Sequence, residues 1–327
     1  MTHPQPPSLP NTDACIVQWL EWLKQNQAAD YTLSAYKSDL HHLTALYPLP
    51  TPDRYQSTHL HYALGRLHAD GIQPRSLARM LSAWRNFFNW LAEQYQLQYN
   101  PCLGVQAPYG HYPDPKILSL EAINQLLDIA PDPAQATAVE LRDQAIFELL
   151  YSSGLRLAEI IALDIEPVQT EHYQSQAWLH LAEHEVHIHS KHHRQREVPI
   201  GSKAIQALEH WLPRRHELLR LPADPGPEHT ASAAALFLGL RGLRISPRVI
   251  QKQLQQRAQK VGIQQAVYPH RLRNSFANHL LESSNDLMGV QQLLGHAASS
   301  STAGLKQLNP EQLAQFLQAH PRHNKKN

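Results

Sequence analysis

Cysteine is scarce in this chain, and long apolar runs are missing. The 327 residues include only Cys15 and Cys102. Two such distant cysteines do not make a disulfide framework, so the sequence predicts a reducing, cytoplasmic environment. No apolar run approaches the roughly 18 residues that a membrane span needs. The proline-rich start, residues 1–10, lacks the apolar core of a secretory signal peptide. These features predict a protein that is neither inserted in a membrane nor secreted.

An excess of charge of one sign is also missing. The 29 lysines and arginines nearly balance 28 acidic residues, for a net charge of +1. Bulk electrostatics therefore do not indicate a nucleic-acid partner, and local clusters must carry any such claim. The chain has 22 histidines, which add positive charge only as the pH falls toward about 6. Length and a 42% hydrophobic content are sufficient for two globular domains.

The first third of the chain is predicted to be helical. Residues 1–12 are proline-rich and are expected to be disordered, and residues 13–105 carry helical stripes without a strand signal. Thr32 and Ser34 are possible caps of the second helix. The longest stripe consists of Leu77, Leu81, Trp84, Phe88 and Leu91. We expect a helical domain of four or five helices, followed by a linker at residues 106–116, which contain three prolines and one glycine.

We expect the second domain at residues 117–320, followed by a tail at 321–327. In this domain the spacing of apolar residues changes from helical to strand-like and back. Ser119 is a favourable cap for a helix that begins at Leu120. A longer helix should cover residues 136–151, with Gly154 as its breaker. Residues 177–200 alternate apolar and polar side chains, which is typical of two or three short antiparallel strands. The fold class predicted is mainly α with a small antiparallel β-sheet in the C-terminal domain.

Five separate basic residues of the second domain lie in short motifs. Arg156 lies in the run YSSGLRLAE, and Lys191 in the run KHHRQREVPI. His270 and Arg273 share an H-x-x-R motif, and His296 ends the run LLGH. Two guanidiniums can hold the oxygens of a phosphate in bidentate fashion without losing their protons. Preorganised donors of this kind stabilise the charge that develops when a phosphodiester is cleaved.

These motifs, in this order and spacing, resemble the tyrosine recombinase (phage integrase) family, and specifically its Xer type. The similarity extends over roughly residues 13–322, with residues 76–91 and Asn100-Pro101 resembling the family's core-binding (SAM-like) domain. Residues 279–297 are more similar to the XerC branch than to the XerD branch. The resemblance implies a two-domain, C-shaped clamp around duplex DNA, with no metal or nucleotide cofactor.

The resemblance also implies roles for the site residues. Arg156 and Arg273 would hold the scissile phosphate, and His296 would donate a further hydrogen bond. His270 would assist proton transfer, and Lys191 would protonate the departing 5′-oxygen. A phosphotyrosyl linkage would conserve the bond energy for religation.

The nucleophile position departs from the family pattern. The family places its nucleophilic tyrosine nine residues after the LLGH histidine, and here that residue is Leu305. No tyrosine occurs after Tyr268, and Gly304 would weaken the helix that presents a nucleophile. The hydroxyls at residues 299–302 are more typical of a helix cap, and Tyr268 lies on the wrong side of the motif.

Several exposed basic side chains are expected to contact DNA, with a partner recombinase of the XerD type completing a heterotetramer. They are Lys37, Arg75, Arg79 and Arg85 in the first domain, and Arg194, Arg196, Arg248 and Lys252 in the second. The implied function is strand exchange at a short, imperfectly palindromic chromosomal site, for chromosome-dimer resolution at cell division. The alternative is a catalytically silent paralogue that binds DNA and activates its partner.

A metal-binding regulator is a rival from another class. The segment 184–193 holds five histidines, and His187 and His189 would lie on one face of a strand. A structural metal site usually needs four ligands, and this segment also fits the hairpin that carries Lys191. The sequence therefore favours a solvated hairpin, with no metal site assigned.

Overall fold

The computed structural model describes residues 9–97, 99–110, 117–190, 194–220, 227–295, 315–316, 318–319 and 322. The chain divides into two compact units, Met1–Pro113 and Asp114–Asn327. Within the described ranges, no helix has the length and apolar character to cross a membrane.

All the regular secondary structure in the described part of the first unit is helical. Its helices are α1 (Thr12–Gln25), α2 (Asp30–Leu46), α3 (Ser57–Ala69) and α4 (Pro74–Tyr95), with a 3₁₀ turn at Pro52–Arg54. Proline at the first position of α4 suits a helix start, because its missing N–H has no helical partner there. The apolar stripe of α4 is buried, and Trp84 Nε1 donates a hydrogen bond to the carbonyl of Asp39 at 2.8 Å.

Asn11 and Thr12, which the sequence analysis assigned to a disordered start, are part of the folded unit. Asn11 caps α1 by accepting a hydrogen bond from the N–H of Ala14 at 2.8 Å. Thr12, expected to be disordered, is buried, and its hydroxyl donates to the carbonyl of Leu49 at 2.7 Å. These contacts tie the start of α1 to the segment after α2.

The second unit surrounds one long buried helix. Its helices are α5 (Leu120–Leu127), α6 (Ala138–Ser152), α7 (Leu157–Ala162), α8 (Ser202–Trp211), α9 (Pro227–Ala234), α10 (Pro247–Lys260), α11 (Pro269–Ser284) and α12 (Leu287–Leu294), with 3₁₀ turns at Leu181–Glu183 and Leu212–Glu217. Ser119 caps α5 as predicted, since its hydroxyl accepts from the N–H of Ala122. Residues 141–152 of α6 are all buried. This burial explains why α6 shows little amphipathic pattern in the sequence.

Charged residues on α6 are paired within this core. Glu148 is buried, and its Oε1 accepts a hydrogen bond from Arg322 Nη2 at 2.7 Å. From the sequence we expected Arg322 to lie in a terminal tail, but its side chain is buried against α6. A buried carboxylate without this partner would carry a large desolvation cost, so Arg322 is part of the folded unit.

A small sheet packs against the helices. Its strands are β1 (Leu163–Asp164), β2 (Ala177–His180), β3 (Glu185–Ser190) and β4 (Arg194–Pro199), in the order β1-β2-β3-β4. The three longer strands are antiparallel and confirm the predicted small sheet in a mainly α fold. The two-residue β1 pairs parallel to β2 and makes the sheet mixed.

The register of the strands divides their side chains between two faces. Ala177 faces Ile188, and Ile188 faces Arg196, on the side that packs against the helices. Trp178 faces His187 on the other side, which we call the outer face. This alternation determines which polar residues of the hairpin reach the interior.

Candidate active site

Arg156 lies at the start of α7, after a turn that depends on a glycine. Gly154 has φ of +54°, in the left-handed region that favours glycine. The backbone N–H of Arg156 donates to Glu159 Oε2 at 2.7 Å, and its guanidinium Nη1 donates to Glu159 Oε1 at 3.0 Å. The Arg156 side chain is still 45% exposed. It is therefore positioned by Glu159 and open to a ligand on its other side.

Arg273 lies in the second turn of α11 and is buried. Its guanidinium donates to the carbonyl of Gly154 through Nη1 and to the carbonyl of Leu294 through Nη2, the latter at 2.6 Å. Leu294 is the last residue of α12, where backbone carbonyls lack a helical partner. Arg156 Nη2 donates to the next carbonyl, that of Gly295, at 3.1 Å. The end of α12 thus holds the two guanidiniums side by side.

Arg196 reaches the same cluster from β4. Its Nη2 donates to Glu159 Oε2 at 2.9 Å, and its side chain is only 17% exposed. Within the described residues, the buried Nε of Arg196 has no hydrogen-bond acceptor. Buried donors are nearly always paired, so this nitrogen marks a place for an acceptor. Gly295 lies beside it with φ of +63°, in the left-handed region that favours glycine, and a Cβ there would displace the Arg196 guanidinium.

The cluster carries more positive than negative charge. Three guanidiniums, those of Arg156, Arg196 and Arg273, surround the single carboxylate of Glu159. Burial is the main cause that lowers the pKa of Arg273 to about 10; the charges of Arg156 and Arg196 act in the same direction, and Glu159 opposes them. Burial also lowers the pKa of Arg196. An oxyanion bound among these groups would relieve their repulsion, which makes the cluster suited to a phosphate.

His270 lies three residues before Arg273, in the first turn of α11, and is exposed. Positions three apart share a helix face, so His270 lies one turn from Arg273 toward the helix N-terminus. The positive end of the helix dipole at that N-terminus also favours an anion. Lys191, His296 and Leu305 lie outside the described residues. Tyr268, the residue before α11, is 46% exposed.

Family comparisons agree with this arrangement over most of the chain. Residues 116–311 match the model of the phage integrase family, and residues 16–95 match that of the phage integrase N-terminal SAM-like domain. The chain belongs to the phage integrase family.

Relatives within the integrase family are tyrosine recombinases named XerC. The chain is 40% identical to the one from Ralstonia pickettii (strain 12J) over 318 residues, which cover 95% of this chain and 94% of that relative. It is 36% identical to the one from Neisseria meningitidis serogroup B, over 94% of this chain and 96% of the relative. The chain is thus a Xer-type tyrosine recombinase by family, similar to XerC along nearly its whole length.

Solved integrase-family structures share the fold at low sequence identity. XerH bound to a palindromic difH substrate matches with a TM-score of 0.64 and 17% identity, covering 91% of this chain and 85% of that one. A lambda integrase dimer bound to a COC′ core site matches with a TM-score of 0.61 and 14% identity, covering 92% and 99%. At such identities the likeness establishes the fold.

The basic residues predicted to contact DNA occupy different environments in this integrase-family chain. Lys37 and Arg75 are exposed in the first unit, and Arg248 and Lys252 are exposed one turn apart on α10. Arg194 lies in β4, and its side chain is outside the described part of the chain.

Three of these basic side chains also make contacts inside the protein. Arg79 is half-exposed and forms an ion pair with the buried Asp39. Arg85 donates to the carbonyl of Val105. Arg196 differs most from the prediction, because it faces the interior and joins the arginine cluster rather than an exposed surface.

Glu159 belongs to the same sequence run as Arg156. In the structure it binds Arg156 within its own helix and Arg196 from the sheet. The second contact depends on tertiary packing, and no local pattern reveals it. The alternation of β4 does carry a signal for Arg196, which is two residues from the buried Val198 and so shares its face.

The arginine cluster offers hydrogen-bond donors and only one carboxylate, so it does not suit a metal ion. Where the structure describes the chain, the group of side chains placed to hold a metal is His180, Glu183 and His187. His187 and Glu197 are register partners, whereas Arg196, the residue before Glu197 in β4, is paired with Ile188 and faces the other side of the sheet. The histidine group therefore lies on the outer face, opposite the arginine cluster.

Proposed function

We propose that this chain is a XerC-like recombinase subunit that binds duplex DNA and holds a backbone phosphate in the arginine cluster. One observation carries the proposal: Arg156, Arg196 and Arg273 converge from α7, β4 and α11 on one spot. Three like charges so close together oppose one another, so the arrangement is expensive without an anionic ligand. A phosphate has the charge and the oxygens to satisfy it.

In this proposal the exposed Arg156 and the buried Arg273 bind the non-bridging oxygens of the scissile phosphate. Arg196, with its unpaired Nε, adds a donor or holds Glu159 in place. Lys191 protonates the leaving 5′-oxygen, and His270 assists proton transfer. A tyrosine at position 305 would attack phosphorus and form a 3′-phosphotyrosyl bond as the 5′-oxygen leaves.

The presence of Leu305 favours a second candidate function, in which the chain binds DNA without cutting it. A leucine side chain cannot attack phosphorus, while the guanidiniums that bind phosphate are retained. Such a subunit would assemble beside an active partner of the XerD type and activate it. Both candidates share the DNA-binding step and differ only in covalent chemistry.

The proposed setting is strand exchange at a short palindromic chromosomal site, with dimer resolution at cell division as its outcome. The names of the relatives and of the fold neighbours support this setting. XerH was solved on a palindromic difH substrate, and lambda integrase was solved as a tetramer on a Holliday junction. We therefore propose a tetrameric assembly containing this chain and a partner recombinase on DNA.

The DNA-binding step is tested by selection from a random-sequence duplex pool. The chain should enrich a short site, and its affinity for that site should fall with salt at a log–log slope of about −0.9 per neutralised phosphate. Arg156→Ala should weaken binding and reduce the slope by about 1. Arg214→Ala is the matched control, since Arg214 pairs with Glu217 outside the cluster.

Two outcomes would contradict the DNA-binding proposal. The first is the absence of salt-dependent binding to any duplex. The second is equal affinity for the selected site in Arg156→Ala and Arg214→Ala, which would remove the arginine cluster from DNA binding.

A further inference from the structure

The outer face of the sheet carries a group of imidazoles and carboxylates that the recombinase reaction does not use. Trp178 and His180 lie on β2, and Glu185 and His187 lie opposite them on β3. Glu183 follows in the 3₁₀ turn that joins the two strands. One face of a two-stranded hairpin, together with its connecting turn, therefore presents all five side chains.

The potential ligand atoms are close together. One ligand atom from each of His180, Glu183 and His187 lies within 4.8 Å of the others. His180 Nδ1 is 3.0 Å from Glu183 Oε2, and the rings of His180 and His187 are 5.4 Å apart between centroids. Glu185 Oε2 lies 3.9 Å from His187 Nε2 and is near enough to provide a fourth donor.

The surroundings of the His187 ring suit a metal ligand. Its Nε2 is shielded from solvent and has no hydrogen-bond partner among the described residues. Its ring stacks on Trp178 at 5.6 Å between centroids and at an angle of 16°. Its Nδ1 is 3.9 Å from Glu197 Oε1 on β4. Metal-bound histidines commonly face a carboxylate with their second nitrogen, because it orients the ring and increases its basicity.

We propose that His180, Glu183 and His187 form a binding site for a divalent transition-metal ion of the Zn²⁺ class, with Glu185 beside it as a fourth donor. Two imidazoles and carboxylate oxygens suit Zn²⁺ and its neighbours better than Mg²⁺ or Ca²⁺, which prefer oxygen-only sites. The distances exceed those of a closed site, so the exposed side chains of His180 and Glu183 close around the ion by rotating.

Charge on the outer face favours a cation there. Three carboxylates surround the imidazoles of this face: Glu183 lies 3.0 Å from His180, and Glu185 and Glu197 each lie 3.9 Å from His187. A dication would offset the charges of Glu183, Glu185 and Glu197 on a hairpin whose other face carries Arg196. The site lies on the hairpin proposed to present Lys191 to DNA, so the metal would make that hairpin more positive and more rigid.

Direct metal binding tests the proposal. Tag-free full-length protein is titrated with Zn²⁺ in competition with a chromophoric chelator. We expect one site that is tighter than the background of the other histidines. Affinity for that site should fall by more than about tenfold in His187→Ala and in Glu183→Gln, since even the loss of an outer-shell partner costs that much.

The matched control is His189→Ala. His189 lies on the same strand and the same face, and it packs on the edge of Trp178 at 4.7 Å between centroids, outside the three-residue group. This variant should keep the site. Paramagnetic Co²⁺ gives a second readout, because it should quench the emission of Trp178 in the parent protein and lose that quenching in Trp178→Phe and in His187→Ala.

Two results would overturn the proposal. One is binding of Zn²⁺ no tighter than in the His187→Ala variant. The other is equal loss in His189→Ala and His187→Ala, which would indicate diffuse binding by surface histidines. The DNA-binding proposal is unaffected by either result, because metal affinity is measured without DNA.

Discussion

Gly154→Ala should destabilise the protein and disturb the arginine cluster together. Gly154 has φ of +54°, and a Cβ at this position would lie 2.6 Å from a carbon of Phe276 and 2.7 Å from a carbon of Leu294. An alanine in the left-handed region costs about 1–2 kcal/mol. Forcing a methyl group into a packed core costs about 1–3 kcal/mol more. The free energy of unfolding should therefore decrease by about 2–5 kcal/mol.

Gly262→Ala separates the two contributions. Gly262 lies in the same unit with φ of +76°, and a Cβ there would meet nothing within 4 Å. It should lose only the backbone contribution of about 1–2 kcal/mol. The melting temperature of Gly154→Ala should thus be lower than that of Gly262→Ala by roughly 2–12 °C for a domain of this size.

DNA affinity provides a second comparison between these glycine variants. The carbonyl of Gly154 accepts a hydrogen bond from Arg273, so affinity for duplex DNA should fall in Gly154→Ala and hold in Gly262→Ala. Thermal denaturation and an equilibrium binding titration measure both effects. Equal melting temperatures for the two variants would refute the packing argument.

Two further variants test ionisable side chains of the second unit, one in the arginine cluster and one elsewhere in the core. Glu159→Gln should lower the free energy of unfolding by about 1.5–3 kcal/mol, because Arg196 loses a charged partner. It should also raise DNA affinity, because a negative charge is removed. The control is Glu209→Gln, at an exposed position of α8, which should change neither quantity in denaturation and binding assays. His279 accepts from or donates to Tyr151 at 2.9 Å, and burial lowers its pKa below the usual 6.5. As the pH falls through about 6.5, the unfolded state therefore binds more protons than the folded state. The free energy of unfolding should decrease as the pH is lowered from about 7.5 to 5.5. His279→Asn should weaken that pH dependence in urea denaturation curves, and an unchanged dependence would contradict the assignment.

Much of the fold could be predicted from the sequence because regular backbones impose their periods on it. The stripe along α4 and the alternation across β2 to β4 follow from those periods. Helix starts were less certain: α2 begins at Asp30, before the predicted caps Thr32 and Ser34, and its N-cap Ala29 makes no side-chain hydrogen bond. The two-residue β1 is too short to alternate, and its partner β2 is distant in the chain.

The candidate site depended more on resemblance than on pattern. Arg156 and Arg273 were named from their motifs, and the glycine turn before Arg156 was visible as a helix breaker. The interior position of Arg196 could have been inferred from its spacing to Val198. The bridge from Arg196 to Glu159 could not, because it requires the packing of β4 against α7. The candidate metal ligands His180, Glu183 and His187 likewise come from two strands and a turn. From the sequence, the metal site considered was His187 with His189, on one strand.

The most direct test of the phosphate-pocket proposal is a denaturing gel that detects covalent protein–DNA adduct on a nicked duplex carrying the selected site. A nucleophile held within about 3–3.5 Å of phosphorus provides an effective molarity of roughly 10⁵–10⁸ M, and unoriented water does not replace it. The unaltered chain should therefore bind this DNA and give no adduct.

Leu305→Tyr should produce a 3′-phosphotyrosyl adduct, and Gly304→Ile combined with Leu305→Tyr should produce more. Adding Arg273→Ala to Leu305→Tyr should abolish the adduct, because the phosphate is no longer held. An adduct from the unaltered chain would place the nucleophile elsewhere, at a residue that mass spectrometry would identify. Tight DNA binding without any adduct in either tyrosine variant would contradict the proposal that this arginine cluster holds the scissile phosphate.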